Sequence, residues 1–332
     1  MPAESFKPIL DREAVIELAK PVIDLASPIL REAVNYATNV YARCSSSKRG
    51  DQEQAYPVLA SYVHLIQMVD SIEVLIGNSC AAPAELLLRS AFEGKLTIEY
   101  ILEKRSRSKK RAYAWLGKYL IDNIELHERF APNHPKSKEF EAIYNDDQLR
   151  VTGEFPFIPE ISEVIDRMKE NLKKSEYAEV YVEYQKRRKQ IRFPEWYSLY
   201  EGPRNLRELA QHLHQGVTYE ILYRSWSKMS HFVDSGHVTF PMEDGSRVIA
   251  NIRNPLRIPS IAGMALSFLL ETTKMMLLEY RSGEQVSFHG WWNTEIKDKH
   301  IGLTQLEISG LDWYYKKFVE KSIKDEEKSP KK

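Results

Sequence analysis

The chain has 332 residues, 43% of them hydrophobic, and its 47 Lys and Arg are matched by 47 Asp and Glu. That length buries a substantial core, and the composition excludes an intrinsically disordered polymer. A formal charge of zero excludes a global field drawing in nucleic acid or membrane, so attraction for a polyanion has to be local. Two cysteines, Cys44 and Cys80, make no disulfide framework and point to a reducing compartment with buried structural thiols. The opening "MPAESFKPILDREAV" lacks the apolar core of a signal peptide. The most apolar run, Ile258 to Leu278, is broken by Gly263, Glu271 and Lys274 and reads as a core helix. The expectation is a cytoplasmic protein with no membrane partner.

In chain order the pattern is helical, with only 14 glycines. Asp11 can cap a helix running to about Arg43, before the Ser-rich break "SSSKRG". A second helix is predicted over Glu53 to Ile76, ended by Gly77-Asn78, and a third over Ala84 to Glu103 after Pro83. A fourth runs to Phe130. After the break "APNHP" come shorter helices, about Ser137 to Tyr144, Glu160 to Lys174 and Tyr177 to Arg192. A connection with two prolines and Gly202 leads to a pair over Leu206 to His214 and Thr218 to Phe232. "HVTFPMEDGSRVIANI" departs from helical period: two β-prone runs flank Asp244-Gly245, the signature of a hairpin, and Pro241 makes its first arm an edge strand. A long helix, Ile258 to Tyr280, closes the core, and "KDEEKSPKK" reads as a solvated tail.

The fold class expected is therefore all-α, a helical bundle with a small β-hairpin insertion. Residues 1–131 and 204–320 form one bundle, with the hairpin at 237–252. Residues 132–203 form a helical insertion, and 321–332 a disordered tail.

Two helices carry polar residues that need explaining. The Ala84 to Glu103 helix is apolar nearly all round, the mark of a buried helix, yet Arg89 and Glu93 lie one turn apart in its middle. Burying both is costly unless they pair, so they either lock a structural network or line a polar cavity. In "YRSWSKMSH" the stripe Leu222, Trp226, Met229 and Val233 leaves Arg224, Ser227, Lys228 and His231 on the opposite face. That face is either an ordinary solvated surface or a site for phosphate binding and proton transfer, the work Arg and His are suited to. An Arg followed by a His at short spacing also occurs at Arg129 to His134, Arg207 to His212 and Arg207 to His214, so spacing alone does not choose.

Context distinguishes them. "LLLRSAFEGKLTIEYIL" followed, over a hundred residues later, by "YEILYRSWSKMSHFVDSG" resembles a prokaryotic domain-of-unknown-function family, number 5677 in that series, over about Glu53 to Tyr280. The matching residues are Arg89 and Glu93, then Tyr223, Arg224, Ser227 and His231. The Arg224-to-His231 step also resembles the long form of the HEPN motif. HEPN resemblance implies a dimeric, metal-independent endoribonuclease of toxin–antitoxin or phage-defence systems, needing no cofactor. In it Arg224 binds the scissile phosphate, His231 assists attack by the ribose 2'-hydroxyl, and Ser227 orients the imidazole or touches phosphate. Arg89, Glu93 and Tyr223 would support them from behind. Ser225 departs from the pattern, since HEPN enzymes place Asn, Asp or His directly after the Arg.

The basic runs "KRSRSKKR" and "KRRKQIR" offer Lys109, Lys110, Arg111, Arg187 and Arg188 as RNA-binding residues, with Tyr113, Trp115 and Tyr184 as stacking rings. The alternative is solvated helix ends. A non-catalytic scaffold that grips a nucleotide, RNA or a partner protein is the main rival to the enzyme. A metal site finds only the single pair Glu208 and His212, so none is expected. No P-loop, dinucleotide fingerprint, Gly-x-Ser-x-Gly elbow or Cys-x-x-Cys pair occurs.

Overall fold

In the computed structural model Asp11 caps the first helix as its position predicts, its side chain accepting the Ala14 amide at 3.0 Å. The structure describes residues 11–147, 155, 157–226, 239–241, 247–249 and 252–314. Helix α1 spans Arg12–Ser45 and runs through Pro21 and Pro28, each of which removes a backbone bond to the preceding turn. α2 (Tyr56–Gly77) starts with Pro57 in its first turn, and α3 spans Ala81–Leu102. α4 (Arg105–His127), α5 (Pro135–Asp146), α6 (Ile161–Asn171), α7 (Ser175–Arg188) and α8 (Leu206–His212) come next. A short helix α9, Gly216–Thr218, passes directly into a π-helical turn, Tyr219–Tyr223. α10 spans Ile258–Tyr280, α11 Gln285–Trp291 and α12 Lys297–Tyr314, the last two joined by a second π turn at Trp292–Ile296.

The chain divides into two compact units, 1–102 with 215–332, and 103–214. In the first, α1, α2, α3 and α10 pack on one another, and α12 lies against α1 and α10. Their shared core holds Ile29, Leu30, Tyr62, Leu65, Leu88, Phe92, Leu96, Leu266 and Leu269. Three buried charges are satisfied inside it. Glu73 accepts from Ser27 Oγ and from Arg31 Nε at 2.8 Å, joining α2 to α1. Lys95, 1% exposed, lies 3.1 Å from both Glu99 and Glu271, and Glu85 accepts from Arg257. Cys44 is fully buried, and burial pushes its thiol up to about 12, while Cys80 is half-buried; both are free. α2, with the turn before it, and α10 are long and apolar enough to cross a membrane by length and composition alone. About half of each apolar stretch is buried within the fold, a property core helices share.

The second unit begins at Glu103, where the sequence pattern starts the insertion at 132. The reason lies in α4: Tyr113, Ala114 and Ile121 form a core with Val180 and Tyr184 of α7 and Leu199. At the other end of α4, Ile124 packs with Ala131 and with Ile161 and Ile165 of α6. Two three-residue strands, Thr239–Pro241 and Arg247–Ile249, pair antiparallel with Phe240 opposite Val248. Residues 242–246, with the expected hairpin turn at Asp244 and Gly245, lie outside the described residues, as do residues 321–332, expected as a disordered tail.

Candidate functional site

α3 places Arg89 and Glu93 on one face because the side chains of residues four apart stack along a helix. The adjoining face, with Leu88, Phe92 and Leu96, goes into the core. Tyr223, 130 residues after Glu93, reaches the pair from the π turn. Its hydroxyl donates to Glu93 Oε1 at 2.7 Å and accepts from Arg89 Nε at 3.0 Å. Arg89 Nε and Glu93 Oε1 are themselves 3.3 Å apart, closing a three-membered cluster. The Tyr223 ring is buried, stacked on Tyr219 at 5.0 Å and tilted against Phe92 at 6.1 Å.

This arrangement sets the charge states. Burial pushes the Tyr223 phenol well above its ordinary value, and the Glu93 carboxylate that accepts its proton raises it further. Burial disfavours the charge on Arg89, but Tyr223 and Glu93 more than offset it and hold the guanidinium protonated. Tyr223 therefore keeps its proton at neutral pH. The cluster is a brace between α3 and the 216–226 segment, in which Arg89 and Tyr223 both stay protonated near pH 7.

The π turn sets which faces the next helical turn presents. The Arg224 amide returns to the Tyr219 carbonyl, and the extra residue rotates the helix by roughly one residue step, about 100°. Tyr223 and Trp226 then face inward, while Arg224 and Ser225 face solvent. Arg224 Nη1 meets Glu220 at 2.8 Å, with 61% of its side chain exposed. So Arg224 stands next to the brace and points away from it. Ser227, Lys228 and His231 lie outside the described residues, as do Met229 and Val233 of the apolar stripe. On the inner side, Thr218 and Leu222, Gly263 and Phe268 of α10, and Leu303 of α12 line a cavity of about 340 Å³.

In the second unit the basic residues are largely engaged locally. Arg111 is buried and pairs with Glu103 at 2.9 Å, which withdraws it from the surface offered to RNA. Lys109 pairs with Glu176, and the Lys110 ammonium lies 3.9 Å from the Tyr200 ring centre. Arg187 donates to Gln190 and to the Gly202 carbonyl, and Arg188 lies 3.6 Å from Glu125. Tyr113 and Tyr184 are core residues and offer no face for bases; Trp115 stacks on the exposed Tyr119. Glu208 and His212 do not converge. Glu208 turns back to the amide of Arg204 at 2.8 Å, and His212 meets Glu103 at 3.1 Å. Among the described residues no three His, Cys, Asp or Glu side chains group as a metal site.

Sequence reasoning singles out Arg89, Glu93 and Tyr223 but passes over Glu85 and Lys95, charged residues more deeply buried on the same helix. Their signal is present: both fall on the apolar face of α3, where a charge demands a partner.

A family of unknown function, DUF5677, matches residues 55–239. The chain belongs to this family. The DUF5677 match takes in α2, α3, the whole second unit and the π-turn segment, and so covers all three members of the brace. No curated protein and no solved structure matches the chain.

Proposed function

We propose that this member of DUF5677 is a HEPN-like, metal-independent endoribonuclease whose working face is Arg224, Ser227 and His231. The observation that carries the reading is the placement of Arg224. It projects into solvent from a helix held one residue earlier by the Arg89–Glu93–Tyr223 brace. A guanidinium so anchored can fork onto a scissile phosphate without the entropy cost of ordering a loose helix. His231 would move the proton of the ribose 2'-hydroxyl, and Arg224 would balance the charge growing at phosphorus. Arg89, Glu93 and Tyr223 act through the helix and touch no substrate. The setting we propose is a prokaryotic cytoplasm, in phage defence or toxicity, as a homodimer restrained by a partner protein such as an antitoxin.

A specific observation favours the rival reading, a non-catalytic binding protein. Glu220 already neutralises Arg224, and the same segment exposes apolar surface at Val217 and Ile221, 74% and 66% exposed. That combination suits a protein partner as well as a phosphate.

Purified wild type, Arg224→Ala and His231→Ala, incubated with mixed RNA in excess chelator, separate the two. The ribonuclease reading expects wild-type products ending in 2',3'-cyclic phosphate, with about a hundredfold or greater loss in either variant. Folded wild type that cleaves nothing would overturn it in favour of the binding protein.

A further inference from the structure

The second unit contains a cleft of about 390 Å³, within the range of small-molecule sites. Its floor is apolar: Ile121 and Ile124 of α4, Leu172 beyond the end of α6, and the buried ring of Tyr184 from α7. Four cations rim it, Lys136 from α5, Lys169, Lys173 just beyond α6, and Arg188 from α7. Only two carboxylates, Glu125 and Glu128, face them in the lining. Glu128 accepts from Lys136 at 2.9 Å and from Lys169 at 3.0 Å. Burial works against its charge, but these two ammonium groups hold its carboxyl below the ordinary range, so it stays ionised. Lys173 and Arg188 are the cations Glu128 does not hold. Arg188 has only a loose contact with Glu125, at 3.6 Å, and Lys173 pairs outside the cleft with the exposed Glu170.

With Glu170 counted, four cations face three carboxylates, and an apolar floor beneath a rim with one surplus positive charge fits a ligand with a flat apolar body and an anionic end. Tyr181, 42% exposed at the cleft, offers a ring on which an aromatic base stacks. Gln185, also in the lining, carries both a donor and an acceptor for the edge of a base. We propose that this cleft binds a mononucleotide, its base against Tyr181 and Gln185 and its phosphate on Lys173 and Arg188. The inference does not rest on the ribonuclease reading: the site is confined to 103–214 and requires no turnover.

Calorimetric titration of the full-length protein with AMP, GMP, CMP and UMP tests it. At least one is expected to bind, with the matching nucleoside and inorganic phosphate each at least about tenfold weaker. Lys173→Glu combined with Arg188→Glu should weaken binding at least about tenfold, and Tyr181→Ala about tenfold, with the unfolding midpoint preserved. Photocrosslinking of wild type with 8-azido-AMP guards against a variant that fails to fold, and label should appear on the peptide carrying Tyr181. Absence of binding by all four nucleotides, equal binding of free phosphate, or label confined to other peptides would each overturn the proposal.

Discussion

Tyr223 has one proton to give and one cation to receive from, and the brace uses both. Tyr223→Phe removes the shared hydroxyl but leaves Arg89 and Glu93 close enough to pair directly. A loss of about 1 kcal/mol in urea unfolding is therefore expected. Arg89→Met should cost more, about 1–3 kcal/mol, because Glu93 then keeps a partly buried charge with no cation beside it. The reverse order would mean that the phenol, and not the ion pair, ties the segment to α3. Glu93 and Arg89 announce themselves in the sequence as charges on an apolar helix. Tyr223 is grouped with them by the family resemblance and not by periodicity, since one more aromatic residue on an amphipathic helix reads as core.

At the scale of elements, glycine positions report which helices touch. A Cβ on Gly117 of α4 would lie 2.6 Å from Val180 Cγ1 of α7, so that contact needs the missing side chain. Gly117→Ala is expected to destabilise the protein by about 1–3 kcal/mol through overpacking, only partly offset by better helix propensity. In α10, a Cβ on Gly263 meets nothing within 4 Å, so Gly263→Ala should stabilise by about 0.5–1 kcal/mol. Paired chemical denaturation curves check both signs. Helix identity is readable from periodicity: α10 falls on Ile258–Tyr280, the span its apolar run predicts. The π turn at Tyr219–Tyr223 is not, because one residue slipped into a helix leaves composition and spacing almost unchanged while turning the faces around it.

For the molecule as a whole, acid is the condition that separates charge from packing. Glu103 and Glu128 in the second unit and Glu284 in the first all have carboxyls held below their ordinary value of 4.5. Burial opposes this in each, and hydrogen-bonded partners outweigh it: His212 and Arg111, Lys136 and Lys169, Arg281 and Arg43. A lowered folded value means the unfolded chain takes protons first. Their stabilisation is thus complete above about pH 4.5 and is lost as pH falls from there through the folded values. Thermal unfolding measured from pH 7 to pH 3 should show the midpoint dropping below that point, and Glu128→Gln should flatten part of the fall. A wild-type midpoint indifferent to acid would mean these pairs contribute nothing.

What the sequence alone determined is local. Helical period, the Asp11 cap, the Gly77 stop and the sign of each charge depend on neighbours within a few residues, and those are written in order along the chain. The tertiary structure decided which distant groups share a space. It set Tyr223 against Arg89 and Glu93, buried Arg111 on Glu103, and brought Lys136, Lys169 and Arg188 around one cleft. It also assigned α4 to the second unit through Gly117 and Val180. The physical reason is that a buried charge specifies that it needs a partner but not which one. The choice among many candidates is made by how helices pack, where volume and shape count as much as chemistry.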